Sequence, residues 1–221
     1  MNIEQARFNM IEQQIRTWDV LDQDVLDLLS VVKREAFVPE AYRSLAFMDT
    51  EIPLPGGENM LPPRLEARLL QEAEAKKHEN VLEIGAGSGY MAALLAARAR
   101  HVTTVEIEPA LKSLAEKNLA DYGVKNVSVE LGDGAQGWNG AGHDGAPYDL
   151  IVISGSLPIL PEAFLKQVKV GGRIVAIIGT APVMSAERVT RVSDVGYETV
   201  KLFETSAKPL RNAVTPPRFK F

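Results

Sequence analysis

The 221-residue chain contains no cysteine, which excludes a disulfide framework, a thiol nucleophile and a thiolate metal site. It also lacks any run approaching ~20 apolar residues, so no membrane-spanning helix is expected. The first residues, Met1–Phe8, lack the apolar core of a secretory signal peptide. From these missing signals we expect a cytoplasmic protein that does not bind a membrane.

An excess of positive charge is missing as well. Lys and Arg number 24 against 29 Asp and Glu, a formal net charge of −5, which argues against a nucleic-acid-binding protein. Hydrophobic residues make up 46% of the chain, a globular share that excludes disorder throughout. The histidines His78, His101 and His143 lack metal-ligand spacing, so no metal site is expected.

From residue 80 onwards, short apolar runs mostly alternate with segments of helical hydrophobic spacing. The runs span residues 81–84, 102–107, 127–131, 150–154 and 173–178. This alternation predicts an α/β fold, with a parallel sheet covered by helices on both faces. Two further runs, 189–192 and 199–203, have no helix-length gap between them and predict a closing antiparallel pair, for seven strands in all.

The chain is expected to have three parts. Residues 1–78 form a helical and loop segment, predicted helical over 4–30 with a helix-start signal at Asp22, then an ordered loop region rich in proline and glycine over 37–63. Residues 79–207 form the core. Residues 208–221 form a basic tail, expected to be extended or mobile, with the cations Lys208, Arg211, Arg218 and Lys220 and no acid.

The strongest motif is the stretch 81–90, which reads VLEIGAGSGY, ends a predicted strand and opens a helix. Glycines let the backbone approach a ligand closely, and the start of a helix offers unpaired amides. Short glycine turns are also common after parallel strands for purely structural reasons. Whether this turn belongs to a ligand-binding site therefore depends on the residues that accompany it.

Carboxylates stand at the ends of the next two predicted strands. Glu106 follows Gly89 by 17 residues, and Asp133 lies between Gly132 and Gly134. A carboxylate in the position of Glu106 can accept hydrogen bonds from two ribose hydroxyls. Because ligands of open α/β sheets bind at the carboxyl ends of the strands, these features predict one nucleoside-binding site.

A nicotinamide dinucleotide is the main alternative ligand for this site. However, the glycine spacing is Gly-x-Gly-x-Gly, and Glu83 stands two residues before the first glycine. This arrangement resembles the first motif of class I S-adenosylmethionine methyltransferases. Residues 148–154 and 165–175 look like that family's fourth strand and the approach to its fifth. The resemblance implies a Rossmann-like doubly wound sheet, S-adenosylmethionine as cofactor, and these cofactor-binding residues: Glu83, Gly85, Ala86, Gly87, Ser88, Gly89, Glu106, Ile107, Gly132, Asp133, Gly134 and Ser154.

A narrower resemblance begins before residue 80. Residues 32–39, VKREAFVP, resemble the Val-Pro-Arg-Glu-x-Phe-Val-Pro stretch of protein-L-isoaspartate O-methyltransferases, and 42–49, 54–57 and 126–134 continue the match. The similarity covers roughly residues 5–210. It implies carboxyl methylation of L-isoaspartyl residues in damaged proteins, with the N-terminal segment lying over the cofactor pocket.

The sequence departs from that family in one loop. The family's Gly-Gln-Thr-Ile-Ser-Gln-Pro loop places a threonine and a serine against the reacting carboxylate. Residues 57–63 here read GENMLPP, so Asn59 occupies the threonine position and Leu61 the serine position. Asn59 can still donate a hydrogen bond, whereas Leu61 cannot.

Three functions therefore stay open at this point. The first is isoaspartyl methyltransfer. The second is methylation of a different small-molecule or protein acceptor, which Leu61 favours. The third is a non-catalytic cofactor-binding module, in which the basic tail would contact a partner. A carboxylate acceptor is ionised at neutral pH, with an unperturbed pKa of about 4, so the first function needs no general base.

Overall fold

The computed structural model describes residues 2–140 and 147–215. His143 and the tail residues 216–221, with Arg218 and Lys220, lie outside the described residues. Within these ranges no helix is long and apolar enough to cross a membrane.

The N-terminal helical segment is divided where the sequence has a helix-start signal. Helix α1 (Ile3–Asn9) continues through a π-helical stretch (Met10–Ile15) and a 3₁₀ turn, and the left-handed Asp19 (φ 58°) ends it. Helix α2 (Gln23–Val31) then begins at Asp22, whose carboxylate accepts hydrogen bonds from the backbone N–H groups of two first-turn residues. The helical region predicted over 4–30 is therefore two helices, and Asp22 is an N-cap.

The proline-rich region between α2 and the next helix is ordered. It contains short 3₁₀ turns and a two-stranded antiparallel hairpin of β1 (Ile52–Pro53) and β2 (Asn59–Met60). Helix α3 (Pro63–Ala73) follows at once, and its proline at the first position fits because that residue needs no backbone N–H bond.

The main sheet has seven strands, five of them parallel. Its spatial order is β5-β4-β3-β6-β7-β8-β9, and the last two strands are antiparallel, as the sequence predicts. The strands are β3 (Asn80–Ile84), β4 (His101–Glu106), β5 (Val127–Leu131), β6 (Tyr148–Leu157), β7 (Val168–Thr180), β8 (Val183–Arg191) and β9 (Tyr197–Thr205). The helices between them are α4 (Tyr90–Ala96), α5 (Pro109–Tyr122) and α6 (Glu162–Gln167).

Side chains of the central strands alternate between two cores. Val81, Leu150 and Val152 point into a large cluster that also contains the N-terminal segment, α3 and α4. Leu82 and Ile151 point to the opposite face, against α6. The period of two along each strand thus explains why the runs are apolar throughout, since both faces are buried.

Asp149, at the start of β6, has a structural role. Its Oδ2 accepts a hydrogen bond from the Asn80 N–H at 2.8 Å, and both oxygens contact Lys169 Nζ at 2.9 Å. The carboxylate therefore ties the starts of two neighbouring strands together, far from their carboxyl ends.

Candidate functional site

The turn between β3 and α4 presents bare backbone at the carboxyl edge of the sheet. Gly85, Gly87 and Gly89 have φ values of 94°, 53° and 85°, a region that glycine occupies without strain. The Gly85 N–H donates to the Val105 carbonyl at 2.8 Å, which fixes the turn beside β4. Gly85 and Gly87 line a cleft, whereas Gly89 lies behind it and packs against α5.

Glu106 ends β4 and reaches the glycine turn. Its side chain is buried, with Oε2 accepting from the Gly87 N–H at 2.9 Å and Oε1 from the Glu108 N–H at 3.0 Å. The carboxylate is therefore held in one orientation at the wall of the cleft. Each oxygen keeps a further acceptor position for a ligand hydroxyl.

Asp133 lies beyond the end of β5, between two glycines at which close packing leaves no room for a side chain. A Cβ on Gly132 would approach the Trp138 ring to 2.3 Å, and one on Gly134 would approach Ile84 Cδ1 to 2.7 Å. The Asp133 carboxylate accepts from the Ala135 N–H at 3.0 Å. The chain thus has to pass close to the core here, and this brings Asp133 to the cleft.

Glu83 lies in the middle of the sheet, under the glycine turn. It is fully buried and accepts hydrogen bonds from Thr104 Oγ1 at 2.7 Å and Ser154 Oγ at 2.8 Å. Burial raises the pKa of Glu83 to about 8, although these hydroxyls oppose the shift. Glu83 and Ser154 both line the inner part of the cleft.

The hairpin loop of residues 54–61, which we call the active-site loop, covers the inner part of the cleft. Asn59 and Leu61 both face it, and Leu61 is only 6% exposed. The Asn59 side chain donates to the Met60 carbonyl at 3.4 Å, a long contact that holds its amide only weakly. This wall of the site therefore combines the polar donor of Asn59 with apolar side chains that include Leu54 and Leu61.

Arg34 fixes the end of the active-site loop from below. Its guanidinium is buried and paired with the buried carboxylate of Glu66, and its Nη2 donates to the Leu61 carbonyl at 2.7 Å. Its Nε donates to the Ala46 carbonyl at 3.1 Å. Arg34 belongs to the VKREAFVP stretch, so that motif has a structural role beneath the site.

The tail forms another wall of the cleft, which sequence reasoning did not assign. Lys208 and Arg211 contact the active-site loop, and the Asn212 amide donates to Asp133 Oδ2 at 2.9 Å. No local sequence signal predicts these contacts, because each joins residues 79 or more positions apart. Residues 208–210 thus run along β6, and the chain then turns at Arg211 and Asn212, where Asn212 has a φ of 60°.

One continuous cleft collects nearly all the expected site residues. Its outer part has about 690 Å³ of space free of protein atoms, a figure that includes the open solvent at its mouth. Every residue proposed for cofactor or acceptor lines one of its two parts except Gly89. The lining residues not expected from the sequence include Leu54, Glu58, Leu111, Gly155 and the tail residues Lys208, Pro209, Leu210 and Arg211.

Neither described histidine belongs to the cleft. His101 begins β4 and its Nε2 lies 3.1 Å from Ser128 Oγ, at the amino end of the sheet, and His78 lies in an exposed turn. In residues 2–140 and 147–215, no three His, Asp or Glu side chains are grouped as metal ligands.

Comparison with known proteins relates this chain to one family. The family model described as protein-L-isoaspartate(D-aspartate) O-methyltransferase matches residues 5–207. Two curated relatives, named protein-L-isoaspartate O-methyltransferase 1 and protein-L-isoaspartate O-methyltransferase, come from Rhodopseudomonas palustris. One, from strain HaA2, is 40% identical over 88% of this chain and 77% of its own length. The other, from strain ATCC BAA-98 / CGA009, is 38% identical over 92% of each chain.

Solved structures agree on the fold. A Plasmodium falciparum structure, titled a putative protein-L-isoaspartate O-methyltransferase in complex with S-adenosyl-L-homocysteine, superposes with a TM-score of 0.78. The superposition covers 96% of this chain and 99% of that one, at 18% sequence identity. A second structure, titled protein-L-isoaspartate O-methyltransferase, has a TM-score of 0.79 and 24% identity over 95% of this chain and 67% of that one.

Proposed function

Because this chain belongs to the protein-L-isoaspartate(D-aspartate) O-methyltransferase family and is an S-adenosylmethionine-dependent methyltransferase, we propose that it methylates the free carboxylate of L-isoaspartyl residues in damaged proteins and peptides. The cleft at the carboxyl edge of the sheet is proposed to hold the cofactor and the acceptor together. The observation that carries this proposal is that Glu106, Asp133 and Asn59 line the same cleft.

The residues around the cleft fit the cofactor. Two glycines without side chains leave room for a nucleoside, and Glu106 offers acceptor oxygens for ribose hydroxyls. Asp133 offers a second polar group beyond the neighbouring strand. Glu83 and Ser154 line the inner part, on the side of Asn59 and Leu61. We therefore assign the nucleoside to the outer part and the reacting end to the inner part.

The cofactor supplies an activated methyl group on a sulfonium sulfur. The work left to the protein is to place the acceptor oxygen in line, at roughly 3 Å, and to exclude water. Leu54 and Leu61 on the active-site loop supply an apolar cover for the inner part. Asn59 can donate a hydrogen bond that orients the acceptor carboxylate. No general base is required, since the acceptor is already ionised at neutral pH.

Methyl transfer to a synthetic L-isoaspartyl peptide tests the proposal. The matched control is the same peptide with a normal L-aspartyl residue, which carries the same charge. We expect S-adenosylhomocysteine to form in proportion to methyl ester with the first peptide and not with the second.

A second acceptor class stays open because Leu61 replaces a hydrogen-bond donor with an apolar side chain. Losing one donor to a charged acceptor costs roughly 1.5–3 kcal/mol, or about 10- to 150-fold. That amount would shift the preferred acceptor without abolishing transfer. Methyl transfer to a panel of small carboxylates and proteins would test this function. Transfer to a member of the panel, with none to the isoaspartyl peptide, would favour it. The cytoplasmic location and the absence of nucleic-acid partners stay predictions.

A further inference from the structure

The tail continues the sheet where β3 stops. β6 pairs with β3 only as far as Ile153. Beyond Ile153, the edge of β6 on that side is therefore not paired with β3. The Ser156 N–H donates to the Lys208 carbonyl and the Leu210 N–H to the Ser156 carbonyl, each at 2.9 Å. Ser156 Oγ also donates to the Ala207 carbonyl at 2.8 Å. These bonds carry the tail across the glycine turn.

Leu210 consequently lies over the turn. A Cβ added to Gly85 would come within 3.6 Å of Leu210 Cδ2, and one added to Gly155 would come within 2.7 Å of the same atom. The Leu210 side chain therefore packs directly on the part of the cleft assigned to the cofactor. The tail and the active-site loop facing it both line this part of the cleft.

A cluster of four charges joins those two segments. Arg211 donates from Nε to Glu58 Oε1 at 2.8 Å and from Nη1 to Glu108 Oε2 at 2.9 Å. Its Nη2 reaches the Gly56 carbonyl at 3.0 Å. Lys208 Nζ contacts Glu58 Oε2 at 2.8 Å and the Gly57 carbonyl at 2.5 Å. One guanidinium thus bonds to the active-site loop twice and to the segment after β4 once.

Glu58 and Arg211 keep their charges over the neutral pH range. Partial burial alone would raise the pKa of Glu58, but the hydrogen bonds from Lys208 and Arg211 outweigh it and lower that pKa. The hydrogen bonds that Arg211 donates to Glu108 and Glu58 raise the pKa of its guanidinium. Since these side chains remain partly exposed, dissolved salt should weaken the cluster.

We propose that Arg211 and Lys208 are positioning residues that fasten the tail to the active-site loop across the cofactor cleft and so set how fast the nucleoside product leaves. This inference rests on the proposed place of the cofactor in that cleft. It assigns to the basic tail a role within its own chain.

Product release tests this directly. S-adenosylhomocysteine is bound to the full chain, displaced by excess S-adenosylmethionine, and followed by stopped flow. We expect Arg211→Gln to raise the dissociation rate several-fold. Arg211→Lys should raise it nearly as much, because an ammonium keeps the charge but cannot bond three acceptors in a fixed fork. Lys117→Gln is the matched control, since it removes a cation from an exposed ion pair with Asp121 on α5.

The dependence on salt gives a second measurement, made on the unmodified protein and on Arg211→Gln. Raising the ionic strength should speed product release from the unmodified protein and change release from Arg211→Gln much less. Equal dissociation rates for both proteins, or an equal dependence on salt, would overturn the inference. Absence of any binding of S-adenosylhomocysteine would instead contradict the proposed function, so the two failures are distinguishable.

Discussion

Glu106 is the single side chain on which the cofactor assignment depends most. Glu106→Ala removes a charged acceptor for two ribose hydroxyls, so affinity for S-adenosylhomocysteine should fall by more than about ten-fold. The comparison is calorimetric, with the unmodified protein expected to bind at a micromolar dissociation constant, roughly −8 kcal/mol. Tight binding of NAD, with no binding of S-adenosylhomocysteine, would contradict the cofactor assignment.

Glu83 should make stability depend on pH. Burial raises its pKa to about 8, so the folded protein keeps a proton that the unfolded chain releases above about pH 4.5. Wild-type stability from this group is therefore greatest below pH 4.5, declines between pH 4.5 and about 8, and is level above that.

The variant Glu83→Gln carries no such titration. Its free energy of unfolding, compared with that of the unmodified protein by urea denaturation, should become relatively more favourable as pH rises through this window. A difference that stays constant from pH 5 to pH 8 would mean that Glu83 is charged in the folded protein.

At the scale of one element, the glycine turn should be intolerant of a side chain. Gly87→Val should abolish cofactor binding in a folded protein, because it places atoms in the cleft and imposes a positive φ on a branched residue. Gly123→Val is the matched control, since Gly123 also has positive φ but a Cβ there meets nothing within 4 Å. Equal loss of affinity in both variants would trace the effect to backbone strain alone.

Helix α2 offers a test of the N-terminal segment away from the cleft. Asp22→Ala removes the side chain that accepts the Asp24 and Val25 N–H groups at 2.8 and 3.4 Å. Loss of such a cap costs about 1 kcal/mol. Urea denaturation should show that decrease with cofactor affinity unchanged. A loss of affinity of the same size would mean that α2 is coupled to the site.

The elements were predictable where local patterns determine them. The strand at 127–131 is reproduced residue for residue, and the N-cap at Asp22 follows from its residue type. β6 and β7 are longer than their apolar runs because neighbouring strands supply hydrogen bonds to residues outside those runs. The break at Asp19 was not marked, since left-handed residues other than glycine give little sequence signal.

At the scale of the whole molecule, the candidate site was predictable where sequence motifs mark its residues. Three strand ends brought Gly87, Glu106 and Asp133 to one edge, as the rule for parallel sheets requires. The wall made by the tail was not predictable, because Arg211 meets its partners 103 and 153 residues away. Long-range ion pairs of this kind leave no periodic or local signature.

The active-site loop connects the scale of the residue to the function of the whole protein. If the chain acts on isoaspartyl peptides, Leu61→Ser should raise the specificity constant by up to about 10- to 150-fold, provided a bond of roughly 1.5–3 kcal/mol is fully regained. Asn59→Ala should lower it. If the acceptor differs, Leu61→Ser should damage the native reaction and create no isoaspartyl activity.

The most direct measurement is methyl transfer from S-adenosylmethionine to an L-isoaspartyl peptide by the unmodified protein and by Leu61→Ser and Asn59→Ala. We predict methyl ester formation by the unmodified protein, more with Leu61→Ser and less with Asn59→Ala, and none with the L-aspartyl peptide. Equal activity in all three proteins would show that this loop does not face the acceptor. No transfer by any of them, with S-adenosylhomocysteine still bound, would contradict the proposed acceptor.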